Sequence, residues 1–235
     1  MTMLNKKQVT AMAAVLALSG VFAGQSVAAV DQAELEAQRA RLLNEINQVE
    51  SKPNELAKAI SAGEDRSLLC SNCHGKDGNS VQPETPNLAS QNPAFLLQQI
   101  EHFATGTRKN FVMNSLAANF TREDKVNLAI YFSNQKLKPQ QVNAELAGRG
   151  KRIFESVCYL CHGADGKGGD AKGFARIAGQ KLDYVVRTLK RFRAVARHEV
   201  ANDEIVRDNP RMEQVTQNLT DADIEALANY VASLR

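Results

Sequence analysis

The chain has 235 residues, 43% of them apolar and 23% charged, with a formal net charge of +3 and no tryptophan. That length holds one large or two small domains. A balance this close to neutral, without a concentrated basic surface, excludes a nucleic-acid binder.

The N-terminus reads as a secretory leader. Lys6 and Lys7 form a positive start, Ala11 to Ala23 is apolar apart from Ser19 and Gly20, and small residues then offer cleavage after Ala28 or Ala29. The alternative, an uncleaved anchor, needs roughly 20 apolar residues, and this run is shorter. Residues 1–29 are therefore expected to be removed on export, which lowers the formal charge from +3 to +1. No later stretch is apolar enough to span a bilayer. Residues 30–60 follow as a helical extension. Leu35, Leu42, Ile46 and Val49 fall on one face, and Ser51-Lys52-Pro53 ends the pattern. Packing against a neighbouring lobe is the expected role; a coiled-coil or partner-docking helix is the sharper alternative, and two heptads are too few to specify one.

One pentapeptide occurs twice, Cys70-Ser71-Asn72-Cys73-His74 and Cys158-Tyr159-Leu160-Cys161-His162, and together the copies hold all four cysteines and two of the four histidines. Cys-x-x-Cys-His is the attachment signature of c-type haem. Two thiols three positions apart can each add to one vinyl group of a porphyrin, and the following His then lies under the iron. A zinc site would bring its cysteine pairs into one knuckle, whereas these pairs lie 88 positions apart. A dithiol redox pair has no need of a His after both copies. Two covalently bound haem c groups are expected, and their attachment belongs outside the bacterial cytoplasm, in keeping with a periplasmic address.

The sequence around the pentapeptides repeats as well. Asn87-Leu88-Ala89-Ser90-Gln91 matches Arg176-Ile177-Ala178-Gly179-Gln180 at an offset of 89, which also pairs Phe95 with Tyr184, Phe103 with Phe192 and Arg108 with Arg197. Met113 then matches Met212 at an offset of 99, as do the pairs from Asn119 and Asn218 to Tyr131 and Tyr230. Such self-similarity means two copies of one domain, the second with about ten extra residues in a polar surface loop around Ala201 to Pro210. Each copy predicts a helix into the pentapeptide, a Gly-rich loop, and a middle helix (about Ala94 to Thr105, or Leu182 to Ala196). A loop with the Met follows, then a last helix capped by Thr121 or Thr220 with Asp three residues on. No segment alternates as a strand would, so the chain is all-α: two tandem haem-binding lobes, 61–140 and 141–235, behind an N-terminal helical extension.

The sixth iron ligand is chosen by the repeat. His102 aligns with Arg191 and His198 with Lys109, so neither His has a counterpart and both are expected on the surface or a helix face. Met113 and Met212 do correspond, which argues against core filler and for His74 with Met113 and His162 with Met212. A neutral thioether favours ferrous iron and raises the reduction potential, and filling both axial positions removes the open site that oxygen chemistry needs.

On these motifs the chain from about Ala62 to Arg235 resembles a dihaem class I cytochrome c, most closely the cytochrome c4 family. The resemblance implies two cytochrome c lobes about a pseudo-twofold axis and haem edges close across the interface. It also implies an exported protein, not itself an enzyme, that delivers electrons to terminal oxidases. It makes Cys70, Cys73, Cys158 and Cys161 the thioether positions. Redox partners would be a membrane oxidase or quinol-oxidising complex, or a periplasmic dehydrogenase of sulfur compounds or alcohols to which the chain serves as electron-accepting subunit. Peripheral membrane association is compatible with either. A haem enzyme or sensor with a labile axial ligand is the third reading. The family's Pro that orients the proximal imidazole is matched by Pro86 but replaced by Ala175. Its Gly-x-x-x-aromatic helix crossing appears as Gly150 and Phe154, whereas the first copy has Ala62 and Arg66, which predicts a different crossing there. Arg187, Lys190, Arg191, Arg193 and Arg197 make the second middle helix basic, a solvated face or a surface that steers an acidic partner.

Overall fold

A computed structural model describes residues 32–201 and 207–235. The expected leader, 1–29, lies outside the described residues, as do the Leu35 side chain and residues 202–206 of the second lobe's extra loop. Among the described residues all regular elements are helical, and the β-type pairings are two isolated bridges. Helix α1 (Gln32–Glu50) buries Leu42 and Ile46 and rests Val49 against the first lobe's core, as its apolar face predicts. Pro53, which ends that pattern, is the first residue of α2 (Pro53–Ser67), where its fixed φ suits a helix start.

The first lobe continues through α3 (Ser71–His74), α4 (Pro93–Thr105), α5 (Phe111–Ala118) and α6 (Arg122–Ser133). The second repeats the order as α7 (Ala144–Ile153), α8 (Tyr159–His162), α9 (Leu182–Ala196), α10 (Pro210–Thr216) and α11 (Asp221–Ser233), with a π-helical turn, Phe154–Cys158, between α7 and α8. The last helix of each lobe opens with the expected capping box, Thr121 with Asp124 and Thr220 with Asp223.

The helix crossing corrects an expectation. In the second lobe α7 meets α11 at Gly150, where an added Cβ would strike the Ala226 carbonyl oxygen and lie 2.9 Å from the Tyr230 Cβ. In the first, α2 meets α6 the same way at Gly63, where a Cβ would strike the Asn127 carbonyl oxygen and lie 2.6 Å from the Tyr131 Cβ. The crossing does not differ; the residues that make it are Gly63 and Ser67, not Ala62 and Arg66. Gly63 precedes Cys70 by seven residues and Gly150 precedes Cys158 by eight. The π turn absorbs the additional residue, with the Tyr159 N–H bonded to the Phe154 carbonyl five positions back. Phe154, fully buried and edge-on to Tyr230 at 5.2 Å, fills the second crossing. In the first, the smaller Ser67 is buried in its place, while Arg66 lies 4.9 Å over the Phe120 ring.

The lobes are joined by reciprocal side-chain–backbone hydrogen bonds related by the repeat. Gln91 accepts from Arg176 N (2.7 Å) and donates to Arg176 O (2.8 Å). Its counterpart Gln180 accepts from Asn87 N (2.7 Å) and donates to Asn87 O (3.0 Å). Asp170 of the second lobe reaches the start of α4 in the first, accepting from the Ala94 and Phe95 amides at 3.1 and 3.3 Å. Helix α1 spans both lobes: Glu45 pairs with Arg122 of α6, and the Arg39 side chain lies on Gly173 of the second lobe, close enough that a Cβ there would come 3.0 Å from the Arg39 Cδ.

The basic helix α9 is largely committed inside the molecule. Arg187 bonds Glu84 of the other lobe at 2.7 Å. Lys190 and Arg193 share Asp221 at 2.9 and 2.5 Å, and Arg197 donates to the Gln217 carbonyl at 2.7 Å. These contacts tie α9 to the first lobe and to the start of α11.

Candidate haem sites

Both pentapeptides sit at the end of a short helix that stops on glycine. Gly75 and Gly163 have φ of 76° and 77°, a conformation that turns the chain away from the His without penalty only for glycine. The loop then returns to place a carbonyl on the imidazole. His74 Nδ1 donates to Pro86 O at 2.9 Å, and His162 Nδ1 donates to Ala175 O at 2.9 Å. A carbonyl only accepts, so each Nδ1 carries the proton and each Nε2 keeps its lone pair. The exchange of Pro for Ala leaves this bond unaltered. Burial, opposed by that carbonyl, holds both imidazoles below the ordinary histidine pKa.

No disulfide joins any of the four cysteines. Burial pushes Cys70 and Cys158 up to about 11, the reverse of the lowered pKa that marks a dithiol redox pair. No group of three or more His, Cys, Asp or Glu suited to a metal ion forms among the described residues, so the two pairs do not meet as one zinc site. Cys70 and Met113 pack against the same first-lobe core, and Cys158 packs against the second.

The methionines were expected in loops and instead occupy the first turn of α5 and α10. Asn110 caps α5 by accepting from the Met113 amide at 3.0 Å, and Asn209 caps α10 by accepting from the Met212 amide at 3.1 Å. Each cap is held in turn by the residue after the Met: Asn110 N donates to Asn114 Oδ1 at 2.6 Å and Asn209 N to Glu213 Oε1 at 2.8 Å. Asn114 also bonds the Phe103 carbonyl at the end of α4 (2.6 Å). These positioning residues were missed, although Asn stands three places before Met in both copies. Asn110→Ala or Asn209→Ala is expected to cost about 1 kcal/mol of stability and to weaken the methyl-shifted NMR signature of a bound methionine in its own lobe alone. Thermal melts and one-dimensional spectra of the two variants check this.

His102, on α4, is half-buried and His198 is exposed, as expected of residues on a helix face or the surface. One further expectation changes. Arg108 corresponds in space to Arg207, not Arg197: the two form an antiparallel bridge between the lobes. The second lobe's extra residues therefore precede Arg207.

Large apolar side chains left open by the polypeptide cluster in the segments that carry these groups: Leu68 and Leu69 beside Cys70, Val81 after His74, Phe111 and Val112 beside Met113, and Tyr159 and Leu160 inside the second pentapeptide. Paired thiols, an imidazole with a fixed tautomer and a thioether, set in apolar surface, fit a covalently attached haem in each lobe.

Comparison with known proteins agrees. The chain is 34% identical over 191 residues to cytochrome c4 of Azotobacter vinelandii, covering 74% of this chain and 88% of that one. It belongs to the cytochrome c4 family. A family model described as Cytochrome c matches residues 147–235. The crystal structure of reduced recombinant cytochrome c4 from Pseudomonas stutzeri superposes with a TM-score of 0.65 at 31% identity, over 74% of this chain and 98% of that one. The chain is also 29% identical over 178 residues to a thiosulfate dehydrogenase electron acceptor of Thiomonas intermedia, over 70% of this chain and 77% of that protein. Like its relatives in the cytochrome c4 family, it is an electron-transfer cytochrome with covalently bound haem c.

Proposed function

We propose that this chain is an exported dihaem carrier that takes electrons singly from a respiratory donor and passes them to an acceptor such as a terminal oxidase. The observation that supports it best is the duplication: each lobe pairs a His whose Nδ1 is bonded to a carbonyl at 2.9 Å with a Met on the first turn of an Asn-capped helix. In this reading Cys70, Cys73, Cys158 and Cys161 form the thioether bonds, His74 and His162 are the proximal ligands, and Met113 and Met212 the distal ones. Haem, when bound, supplies a reversible one-electron iron couple. The protein's part is to fix the imidazole tautomer, present the thioether from a rigid turn, and leave no position for a substrate. Residues 1–29 serve as the export leader, and no helix of the described residues is long and apolar enough to cross a membrane.

Likeness to the Thiomonas electron acceptor favours a second reading, the electron-accepting subunit of a periplasmic dehydrogenase. Co-purification with a larger catalytic subunit would select it. The haem reading is tested by the far-red charge-transfer absorption of the oxidised protein, scaled to haem content. Intensity for two methionines per chain is expected. Intensity for one would mean that a lobe has an open or exchanged ligand and would move the enzyme or sensor reading to the front.

A further inference from the structure

The loop that brings a carbonyl onto each pentapeptide histidine is gripped from the other half of the molecule, and the repeat relates the two grips. Asn92 donates from Nδ2 to the Phe174 and Lys167 carbonyls at 2.8 and 3.1 Å. Its counterpart at an offset of 89, Lys181, donates to the Ser80 carbonyl at 3.3 Å. The first-lobe loop is also held by Arg187 of α9, which pairs with the Glu84 carboxylate at 2.7 Å and donates to the Glu84 carbonyl. Glu84 stands two residues before Pro86.

Helix α4 cannot return that second grip. At the same offset the residue matching Arg187 is Gln98, and the residue matching Glu84 is Gly173. An arginine nevertheless lies on Gly173, and it comes from outside the repeat: Arg39 of α1. A Cβ on Gly173 would come 3.0 Å from both the Arg39 Cδ and the Arg39 Cζ, so the bare backbone there makes room for the guanidinium. The φ of Gly173, 66°, is also one that glycine adopts without strain.

Helix α1 delivers Arg39 from a fixed base. Leu42 and Ile46 are buried in the first-lobe core, and Glu45 is held by Arg122 of α6. Beyond Gly173 the path to the second pentapeptide histidine is short. Gly169 and Phe174 exchange backbone hydrogen bonds at 3.0 and 3.1 Å, which makes the turn one unit. The Phe174 ring lies 6.4 Å from the His162 ring, and the Ala175 carbonyl accepts from His162 Nδ1. The first lobe has Thr85 where the second has Phe174.

We propose that Arg39 is a positioning residue for the second haem site, and that the extension carrying it replaces the arginine that α4 lacks. Arg39 seats the 169–174 turn and so keeps the Phe174 ring and the Ala175 carbonyl against His162. The inference rests on the two-haem reading. A hydrogen bond given by Nδ1 makes the imidazole a stronger donor to the metal and favours ferric iron. Loosening the turn should therefore favour the ferrous state of the second haem and leave the first alone.

The test is a redox titration of the purified holoprotein followed by NMR. The shifted methyl of each bound methionine, assigned by its loss in Met113→Ala or Met212→Ala, tells the haems apart. Arg39→Ala is expected to raise the ferrous-to-ferric ratio of the second haem, at a fixed ambient potential, by about twofold or more. It should also speed amide exchange in residues 169–174 and leave 80–85 unchanged. Arg39→Lys, which keeps the charge and most of the stem, should restore most of both. Glu45→Gln loosens the base of α1 without touching the loop; it should act in the same direction and stands in if Arg39→Ala fails to accumulate. A lower melting temperature with unchanged potentials would make Arg39 merely structural and overturn the proposal, as would equal shifts of both haems. Haem content and the far-red band are measured on the same samples. Their retention separates failure of this proposal from failure of the ligand assignment.

Discussion

A Met212→Ala holoprotein is expected to keep both haems and half of the far-red intensity, and Met113→Ala the other half. In each, the midpoint of one haem should fall by on the order of a tenth or more of the roughly 0.8 V range that axial ligands span. The affected haem should bind added imidazole, and its partner should not. The size follows from position. Each Met lies in the first turn of a helix whose cap bonds the Met amide, not its side chain, so truncation leaves the helix start intact and removes only the thioether. Both methionines are half-buried, so the loss of packing stays below the roughly 2–5 kcal/mol of a fully buried Met→Ala. Redox titration with imidazole binding checks it. If both haems of Met212→Ala keep their potentials and refuse imidazole, Met212 is not a ligand.

The second large effect is on stability. Gly63→Ala and Gly150→Ala should each cost about 3 kcal/mol, the upper end of overpacking penalties, because the new methyl meets the backbone of α6 or α11, which cannot turn aside as a flexible side chain would. For a chain of this size that lowers the melting temperature by about 6–12 °C. Gly148, also on α7, provides the control: nothing lies within 4 Å of a Cβ there, so Gly148→Ala should gain up to about 1 kcal/mol from helix propensity. Thermal melts followed by far-ultraviolet circular dichroism would separate the three. Equal melting of Gly63→Ala and Gly148→Ala would mean that the α2–α6 crossing is looser than described.

What was legible in the sequence was local chemistry. The pentapeptides, the repeated methionines and the Thr–Asp capping boxes each need a fixed residue type at a fixed spacing; the capping boxes form as expected, while the methionines stand on the first turn of a helix and not in a loop. The failures were of register. The single extra residue absorbed by the π turn after Ile153 moves Gly150 out of step with Gly63, so counting back from the cysteines led to Ala62 and Arg66. The extra residues of the second lobe lie in a polar stretch with no landmark, which let Arg108 be matched to Arg197 when its partner in space is Arg207. The lobe interface was invisible for a different reason. Gln91 and Gln180 look like any helix-flanking polar residues until the faces that meet are known. The internal partners of the basic run on α9 were equally out of sight, because its counter-charges, Glu84 and Asp221, stand 103 and 31 positions from the arginine and lysine they hold.

Pro86 and Ala175, whose carbonyls hold the two imidazoles, are each followed in the chain by a residue of the interlobe clasp. Asn87 is gripped by Gln180, and Arg176 by Gln91. Only one peptide unit, about 3.8 Å between Cα atoms, separates the bond that orients a ring from the bond that fastens the lobes. The connection is a short, stiff lever. A shear of one lobe against the other tilts the carbonyl behind each histidine, and a twist applied to either ring is felt at the seam. The two halves of this molecule are fastened through the same backbone segments that orient the two rings, so loosening the clasp at Gln91 or Gln180 is expected to disturb the carbonyl bond of the adjoining histidine.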